Sequence, residues 1–120
     1  MAQYRKFKNE PVVYNGEKFD SAKEFRRWGV LKLLQRAGKI TNLRRQVKFT
    51  LIPKKKGEYR TEQECSYIAD FTYEKDGKLV VEDVKSPITR KNPEYIIKRK
   101  LMLQKYDISI KEVLDENAGV

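Results

Sequence analysis

The stretch "YIADFTYEKDGKLVVEDVKS", residues 67–86, decides the fold because it holds two apolar segments joined by a turn signal. Asp76-Gly77 lies between the segments, and Asp-Gly between apolar runs is typical of a β-hairpin. The first segment carries Asp70, and the second carries Asp83 and Lys85. Unpaired charge is costly to bury in a sheet. The hairpin therefore predicts that these three charged residues share a partner or a function.

A turn at residues 75–78 would make the two strands neighbours and place Asp70 near Asp83. Side chains alternate between the faces of a strand, so Asp83 and Lys85 share one face and Glu82 lies on the other. This alternation predicts that Glu82 is a surface acid or supports the site from outside. Two carboxylates and a lysine would then converge at one end of the sheet.

The rest of the chain predicts one mixed α/β (α+β) domain over residues 1–120, with a flexible basic arm at about residues 1–11. A second helix is expected because Asn92 is a good N-cap and Pro93 fits the first helical turn. The predicted elements are a hairpin at 12–19, a helix from Ser21 to Gly38, extended chain at 40–52, a basic loop at 53–57, the hairpin above, a helix at 92–106 and a strand at 108–113. Omitting the first hairpin, the order is α-β-β-β-α-β, which predicts helices packed on a central sheet.

The charge balance indicates a polyanionic partner. The 120 residues include 27 Lys and Arg against 17 Asp and Glu, a net charge of +10. An excess of this size favours nucleic acid, although a soluble basic protein without such a partner is the alternative. There is no histidine and one cysteine, which excludes imidazole catalysis, an internal disulfide and a multi-cysteine zinc site. No apolar run approaches a membrane span, so we expect a cytoplasmic protein.

The basic residues fall into three groups: the arm, the loop and the second helix with its approach. Each lysine or arginine on a phosphate adds mainly sequence-independent affinity. The residues that we expect to contact nucleic acid are Arg5, Lys6, Lys54, Lys55, Lys56, Arg90, Lys91, Lys98 and Lys100.

The acids in the hairpin suggest a metal. Two close carboxylates repel each other, a divalent cation relieves that repulsion, and Mg²⁺ prefers carboxylate and water ligands. A lysine beside bound water can orient it for phosphodiester cleavage. The alternative is that Asp83 and Lys85 form an ordinary ion pair on a solvated edge strand.

Asp70, twelve residues, then Asp83-Val84-Lys85 resembles the signature of the PD-(D/E)xK nuclease superfamily, with Ala69 in place of its proline. The chain looks closer still to small phage proteins related to Holliday junction resolvases. That likeness is carried by "YNGEKFDSAKE" (14–24), "YIADFTY" (67–73), "VVEDVKS" (80–86) and "YIIKRKL" (95–101). The resemblance implies a restriction-endonuclease-like α-β-β-β-α-β core and Mg²⁺-dependent DNA hydrolysis, with Mn²⁺ as a substitute.

By the same resemblance, the catalytic residues are Glu24, Asp70, Asp83 and Lys85, and the metal ligands are Glu24, Asp70, Asp83 and the Val84 position. A phage-encoded homodimer acting on branched DNA in recombination, in the host cytoplasm, is also implied. Glu24 has a second interpretation, because Ser21-x-x-Glu24 is a capping box in which Glu24 bonds the Ser21 amide.

Two other functions are open. One is a nuclease on flapped, nicked or single-stranded DNA in phage replication or packaging. The other is a non-catalytic nucleic-acid-binding module that retains the fold. A ribosomal-type RNA binder would explain the charge but leaves the carboxylates in the strands unexplained.

Overall fold

The computed structural model describes residues 11–115 and residue 117. Arg5 and Lys6 lie outside the described residues, as does most of the predicted arm. The strands are β1 (Val12–Tyr14), β2 (Glu17–Phe19), β3 (Thr41–Ile52), β4 (Lys55–Lys56), β5 (Thr61–Glu62), β6 (Cys65–Lys75), β7 (Lys78–Val84) and β8 (Lys111–Val113). The helices are α1 (Ala22–Arg36) and α2 (Pro93–Tyr106), with a short 3₁₀ helix at Thr89–Lys91.

A mixed sheet of four strands, in the order β3-β6-β7-β8, forms the centre of the molecule. β3 pairs antiparallel with β6, β6 pairs antiparallel with β7, and β7 pairs parallel with β8. The sequence prediction of a mixed α+β fold with the order α-β-β-β-α-β is confirmed. The turn of the central hairpin also lies where predicted, since Lys75 pairs with Lys78 around Asp76 and Gly77.

The predicted basic loop at 53–57 is instead part of a small hairpin. β4 pairs with β5, which joins Lys55 to Glu62 and Lys56 to Thr61. A strand of two residues is too short to show a periodic pattern in the sequence, so β4 and β5 could not be predicted in this way. The closing strand is also shorter than predicted, because β8 covers only Lys111–Val113 of the segment 108–113.

The two helices cover opposite faces of the sheet. α2 contributes Tyr95 and Met102 to a core cluster with Tyr67, Ala69 and Val81. On the other face, a second cluster joins Leu31, Ile40, Phe71 and Tyr73, with Trp28 of α1 stacked on Phe71 at 5.8 Å between ring centroids. Burial of these side chains supplies the main stabilisation of the fold. No helix in the described part of the chain is long and apolar enough to cross a membrane.

An ion pair inside the second core corrects the prediction for Glu82. This residue is fully buried and accepts hydrogen bonds from Arg27 Nε at 2.9 Å and Arg27 Nη2 at 2.7 Å. The Tyr73 hydroxyl donates to the same carboxylate at 2.5 Å. Glu82 does face away from Asp83, as predicted, but its side chain lies beneath α1 and has no contact with solvent. The pair connects α1 to β7 one residue away from Asp83.

Candidate active site

The site lies where β6 and β7 separate. Their last paired residues are Phe71 and Glu82, and beyond them β6 continues beside β3 while β7 continues beside β8. The Val84 amide donates to Asp70 Oδ2 at 2.8 Å, so a side chain replaces the expected backbone partner. This divergence, which we call the fork, opens a space at the end of the sheet without leaving the amide unpaired.

Asp70 and Asp83 meet in the fork. The register that pairs Phe71 with Glu82 places Asp70 opposite Asp83. Burial is the largest cause that raises the pKa of Asp70, followed by the charge of Asp83 and a hydrogen bond between the two carboxyl groups. Together they raise the pKa of Asp70 to about 9. These causes favour the protonated form of Asp70 when no cation is bound.

Asp83 is the more enclosed member of the pair, with 6% of its surface exposed. The Tyr67 hydroxyl donates to Asp83 Oδ2 at 2.7 Å, and Lys85 Nζ lies 3.5 Å from the same oxygen. Burial, the charge of Asp83 and this hydrogen bond raise the pKa of Tyr67 far above its ordinary value. Tyr67 is consequently a permanent hydrogen-bond donor that fixes the carboxylate of Asp83.

Lys85 is held at both its main chain and its side chain. Its amide donates to Val113 O at 3.0 Å, and its carbonyl accepts from Lys23 Nζ at 2.9 Å. Its ammonium lies 3.9 Å from the centroid of the Tyr95 ring, which is a cation–π distance. These contacts hold the ammonium beside Asp83 at the opening of the site.

Glu24 reaches the same region from the first turn of α1. Ser21 Oγ accepts from the Glu24 amide at 3.0 Å, as a capping box requires. The second hydrogen bond of the capping box differs from the prediction, because Glu24 Oε1 accepts from the amide of Asp20 at 3.2 Å and not from that of Ser21. Glu24 Oε2 accepts from Gln46 Nε2 at 3.1 Å. Glu24 thus caps the helix and remains a carboxylate of the site.

Burial is also the largest cause that raises the pKa of Glu24, although the hydrogen bond from Asp20 opposes it. The charge of Asp83 adds to the increase, which reflects the closeness of the two acids. A cavity of about 170 Å³ joins the N-terminus of α1 to the fork, and Glu24, Asp70, Asp83, Val84 and Lys85 all line it. The structure therefore brings together every residue predicted to be catalytic.

A larger open groove of about 530 Å³ begins at Asp70, Asp83 and Lys85. It runs between the first half of β6, at Ser66 and Ile68, and the start of α2, at Tyr95 and Lys98. A nucleic-acid strand in this groove would pass directly over the fork.

The donor set suits a hard cation that retains bound water. Within residues 11–115 and 117, no group of three or more Asp, Glu, His or Cys side chains forms a ready metal cluster. Mg²⁺ is usually bound by one or two carboxylates with several waters, so Asp70 and Asp83 satisfy that need. The carbonyl of a strand residue points to the same side as its amide, so the Val84 carbonyl lies on the Asp70 side of β7.

The predicted nucleic-acid contacts divide into three sets. Lys54, Lys55 and Lys56 are exposed on the β4–β5 hairpin, and Lys91 and Lys100 are exposed near and on α2. Arg90 lies 3.3 Å from Glu112, and Lys98 lies 3.1 Å from Glu94 while also lining the groove. Arg5 and Lys6 fall outside the described residues.

Sequence reasoning missed several residues that build the site. Tyr67 precedes Asp70 in the same strand and Lys23 precedes Glu24, but nothing in their spacing indicates a contact with Asp83 or Lys85. Gln46 reaches Glu24 from a point of β3 with a left-handed φ of 55°. This φ is unusual for a strand residue other than glycine, and no sequence pattern marks it.

Neither the curated proteins nor the solved structures contain a match to this chain. One family model matches residues 4–114, which is nearly the whole chain. The chain therefore belongs to DUF1064, a family described as proteins of unknown function.

Proposed function

We propose that this protein is a metal-dependent endonuclease that hydrolyses phosphodiester bonds of DNA. The observation that carries the proposal is the meeting of Asp70, Asp83 and Lys85 at the fork, with Glu24 lining the same cavity. The pattern of these residues resembles that of PD-(D/E)xK nucleases, and the order of helices and strands agrees with it. The groove that begins at the fork and the net charge of +10 supply a route for a polyanion.

The chain's own residues have separate roles in this mechanism. Asp70, Asp83 and the Val84 carbonyl would hold a Mg²⁺ ion, which would activate water and stabilise negative charge on the phosphate. Tyr67 fixes the Asp83 carboxylate through its hydroxyl. The Lys85 ammonium, 3.5 Å from Asp83, is placed to orient water and to neutralise charge that develops on the phosphate.

Branched DNA is the substrate we propose first, because the resemblance is closest to junction-resolving proteins. Symmetric cutting of a junction requires two active sites, so a two-fold homodimer belongs to this proposal. Flapped, nicked and single-stranded DNA are the competing substrates. A four-way junction, a flap, a nicked duplex, an intact duplex and a single strand should therefore be incubated with the protein in Mg²⁺, Mn²⁺ and EDTA.

We expect cutting in Mg²⁺ and Mn²⁺, no cutting in EDTA, and a preference for the junction. Asp83→Asn should be inactive, whereas Asp76→Asn, a change of the same kind in the β6–β7 turn, should cut normally. Full activity in EDTA would contradict the metal-dependent mechanism.

A non-catalytic nucleic-acid-binding module is the second candidate. It is favoured by the hydrogen bonds that Glu24 already accepts from Asp20 and Gln46, and by the lack of a ready three-acid cluster in the described part of the chain. Tight DNA binding without cutting in either metal would support this candidate over the nuclease.

A further inference from the structure

The loop Gly57–Arg60 carries a strongly exposed aromatic side chain. Tyr59 is 85% exposed, more than any other large apolar or aromatic residue in the part of the chain that the structure describes. Burial of such a side chain is normally favourable, and a tyrosine ring can contact a partner at low entropic cost. Its position at the tip of the β4–β5 hairpin presents the ring away from the core.

The loop has a defined conformation. The Gly57 amide donates to the Arg60 carbonyl at 2.8 Å, which closes a tight turn between β4 and β5. A Cβ at position 57 would lie only 2.9 Å from that carbonyl oxygen, so the close approach requires glycine. The turn thus holds Tyr59 at the tip of a short, closed hairpin.

The surroundings of Tyr59 are cationic. Lys54, Lys55 and Lys56 precede the loop and Arg60 ends it, against two acids between residues 53 and 62, Glu58 and Glu62. Glu62 pairs with Lys55 across the hairpin and lies 3.7 Å from Arg60, so the segment keeps an excess of two positive charges. An exposed aromatic ring among lysines and arginine is the combination that binds single-stranded nucleic acid, since cations contact phosphates and the ring stacks on a base. This charge favours nucleic acid over a protein partner.

The hairpin is also connected to the groove of the site. β6 begins just after β5, and its first residues, Cys65 and Ser66, line a cavity of about 490 Å³ beside α2. Ser66 also lines the groove that contains Asp70 and Asp83. Tyr59 precedes Asp70 by eleven positions, so the tip lies within about 40 Å of the fork. That distance corresponds to at most about twelve nucleotides of stacked strand.

We infer that Tyr59 is a base-stacking residue that selects nucleic acid with unpaired bases within about twelve nucleotides of the fork. This inference rests on the proposed function for the substrate class, but it does not require cutting. The lysines of the hairpin bind phosphates of any nucleic acid, and Tyr59 adds affinity only where a base is free to leave the duplex stack. The hairpin would thereby favour nucleic acid with unpaired bases without recognising its base sequence.

The test measures DNA binding in EDTA, where the proposed cutting cannot occur. Tyr59→Ala should weaken binding to single-stranded and gapped DNA by about tenfold and binding to intact duplex by less than about twofold. Tyr59→Phe should bind like wild type, because it retains the ring. Leu79→Ala, which removes another exposed side chain far from the hairpin tip, should leave all affinities unchanged.

Salt dependence separates stacking from charge. The loss in Tyr59→Ala should be the same at every salt concentration, whereas Lys55→Ala should reduce the slope of log K against log[salt] by about 1. A 2-aminopurine base in the gap should report stacking by fluorescence quenching with wild type and not with Tyr59→Ala. Quenching without cutting in Mg²⁺ would support this inference and contradict the proposed nuclease.

Equal losses by Tyr59→Ala on duplex and gapped DNA would overturn the inference, because they would indicate a backbone contact. An unchanged affinity of Tyr59→Ala for gapped DNA would overturn it as well. Absence of binding to every DNA would overturn both the inference and the nucleic-acid part of the proposed function.

Discussion

A catalytic role of Lys85 can be distinguished from a role in DNA binding. Its ammonium contacts Asp83 and the ring of Tyr95, and it is one of 27 cationic side chains. Lys85→Met should therefore abolish cutting of the preferred DNA while changing affinity by less than about twofold, because its interaction belongs to the transition state. Cleavage and binding assays on the same DNA check this.

Lys78→Met, at the far end of β7, is the matched control and should cut like wild type. Normal cutting by Lys85→Met with a large loss of affinity would show that Lys85 is an ordinary phosphate contact.

The proton held by Asp70 should make the stability of the metal-free protein depend on pH. An unfolded aspartate loses its proton near pH 3.9, whereas burial and Asp83 raise the pKa of Asp70 to about 9 in the folded chain. Between these values the native state binds more protons than the unfolded state, so its free energy of unfolding falls as pH rises.

The side chain at position 70 of Asp70→Asn cannot ionise. The free energy of unfolding of this variant, measured by urea unfolding in EDTA, should therefore decline less steeply between about pH 5 and about pH 8 than that of wild type. Asp76→Asn is the control, and we expect it to retain the wild-type slope. If Asp70→Asn declined as steeply as wild type, the proton would belong to another group.

Glu24 serves both as a cap and as a carboxylate of the cavity, and the two roles respond differently to amidation. Glutamine can still accept the Asp20 amide bond, so Glu24→Gln should keep a melting temperature close to wild type. The loss of charge should lower cutting at least about tenfold, because a hard cation prefers anionic oxygen. Thermal melting and cleavage rates measured on one preparation check both effects.

A Glu24→Gln protein that cuts at the wild-type rate would leave Glu24 with the capping role alone. Glu17→Gln, in the exposed β1–β2 hairpin, controls for the loss of one negative charge.

At the level of the elements, the buried pair of Arg27 and Glu82 connects α1 to β7. Removal of one member leaves the other charge buried without its partner, so Arg27→Met should lower the free energy of unfolding by about 3–5 kcal/mol. The double variant Arg27→Met/Glu82→Met should recover part of that loss, since an apolar pair can replace a buried ion pair. Urea unfolding of both variants checks the expectation.

Arg26→Met, on the neighbouring position of α1, is the control and should change stability far less. A single Arg27→Met variant within about 1 kcal/mol of wild type would show that the pair is not needed to hold α1 on the sheet.

The elements also show what the sequence could predict. The central hairpin, the N-cap at Asn92 and the order of helices and strands follow local patterns, and the structure has them at nearly the predicted residues. Glu82 and Arg27 could not be placed correctly, because charge suggests exposure unless the partner is known. Their pairing spans 55 residues, and periodicity carries no information over that separation.

Part of the site could be predicted because it depends on local patterns in one hairpin. Asp70, Asp83 and Lys85 belong to one hairpin, so strand alternation and turn position suffice to bring them together. Tyr67, Lys23 and Gln46 reach the site through side-chain directions and a left-handed residue in β3, which depend on the assembled fold.

For the whole molecule, the distribution of cations predicts strong salt dependence of DNA binding. Exposed lysines lie on the hairpin, on the 3₁₀ helix and on α2. If about six phosphates are neutralised, log K should fall with a slope near −5 against log[salt]. Binding titrations over a range of NaCl concentrations check the slope, and a flat dependence would indicate a protein partner.

The fork has a consequence for spectroscopy. Because the Val84 amide donates to Asp70 and not to a neighbouring strand, its proton chemical shift depends directly on the charge of one carboxylate. The amide of Lys85, the next residue, donates to the backbone of Val113 and provides an internal reference one position away. In an NMR spectrum, the resonance of Val84 would therefore follow deprotonation or cation binding at Asp70, while that of Lys85 would follow the integrity of the sheet.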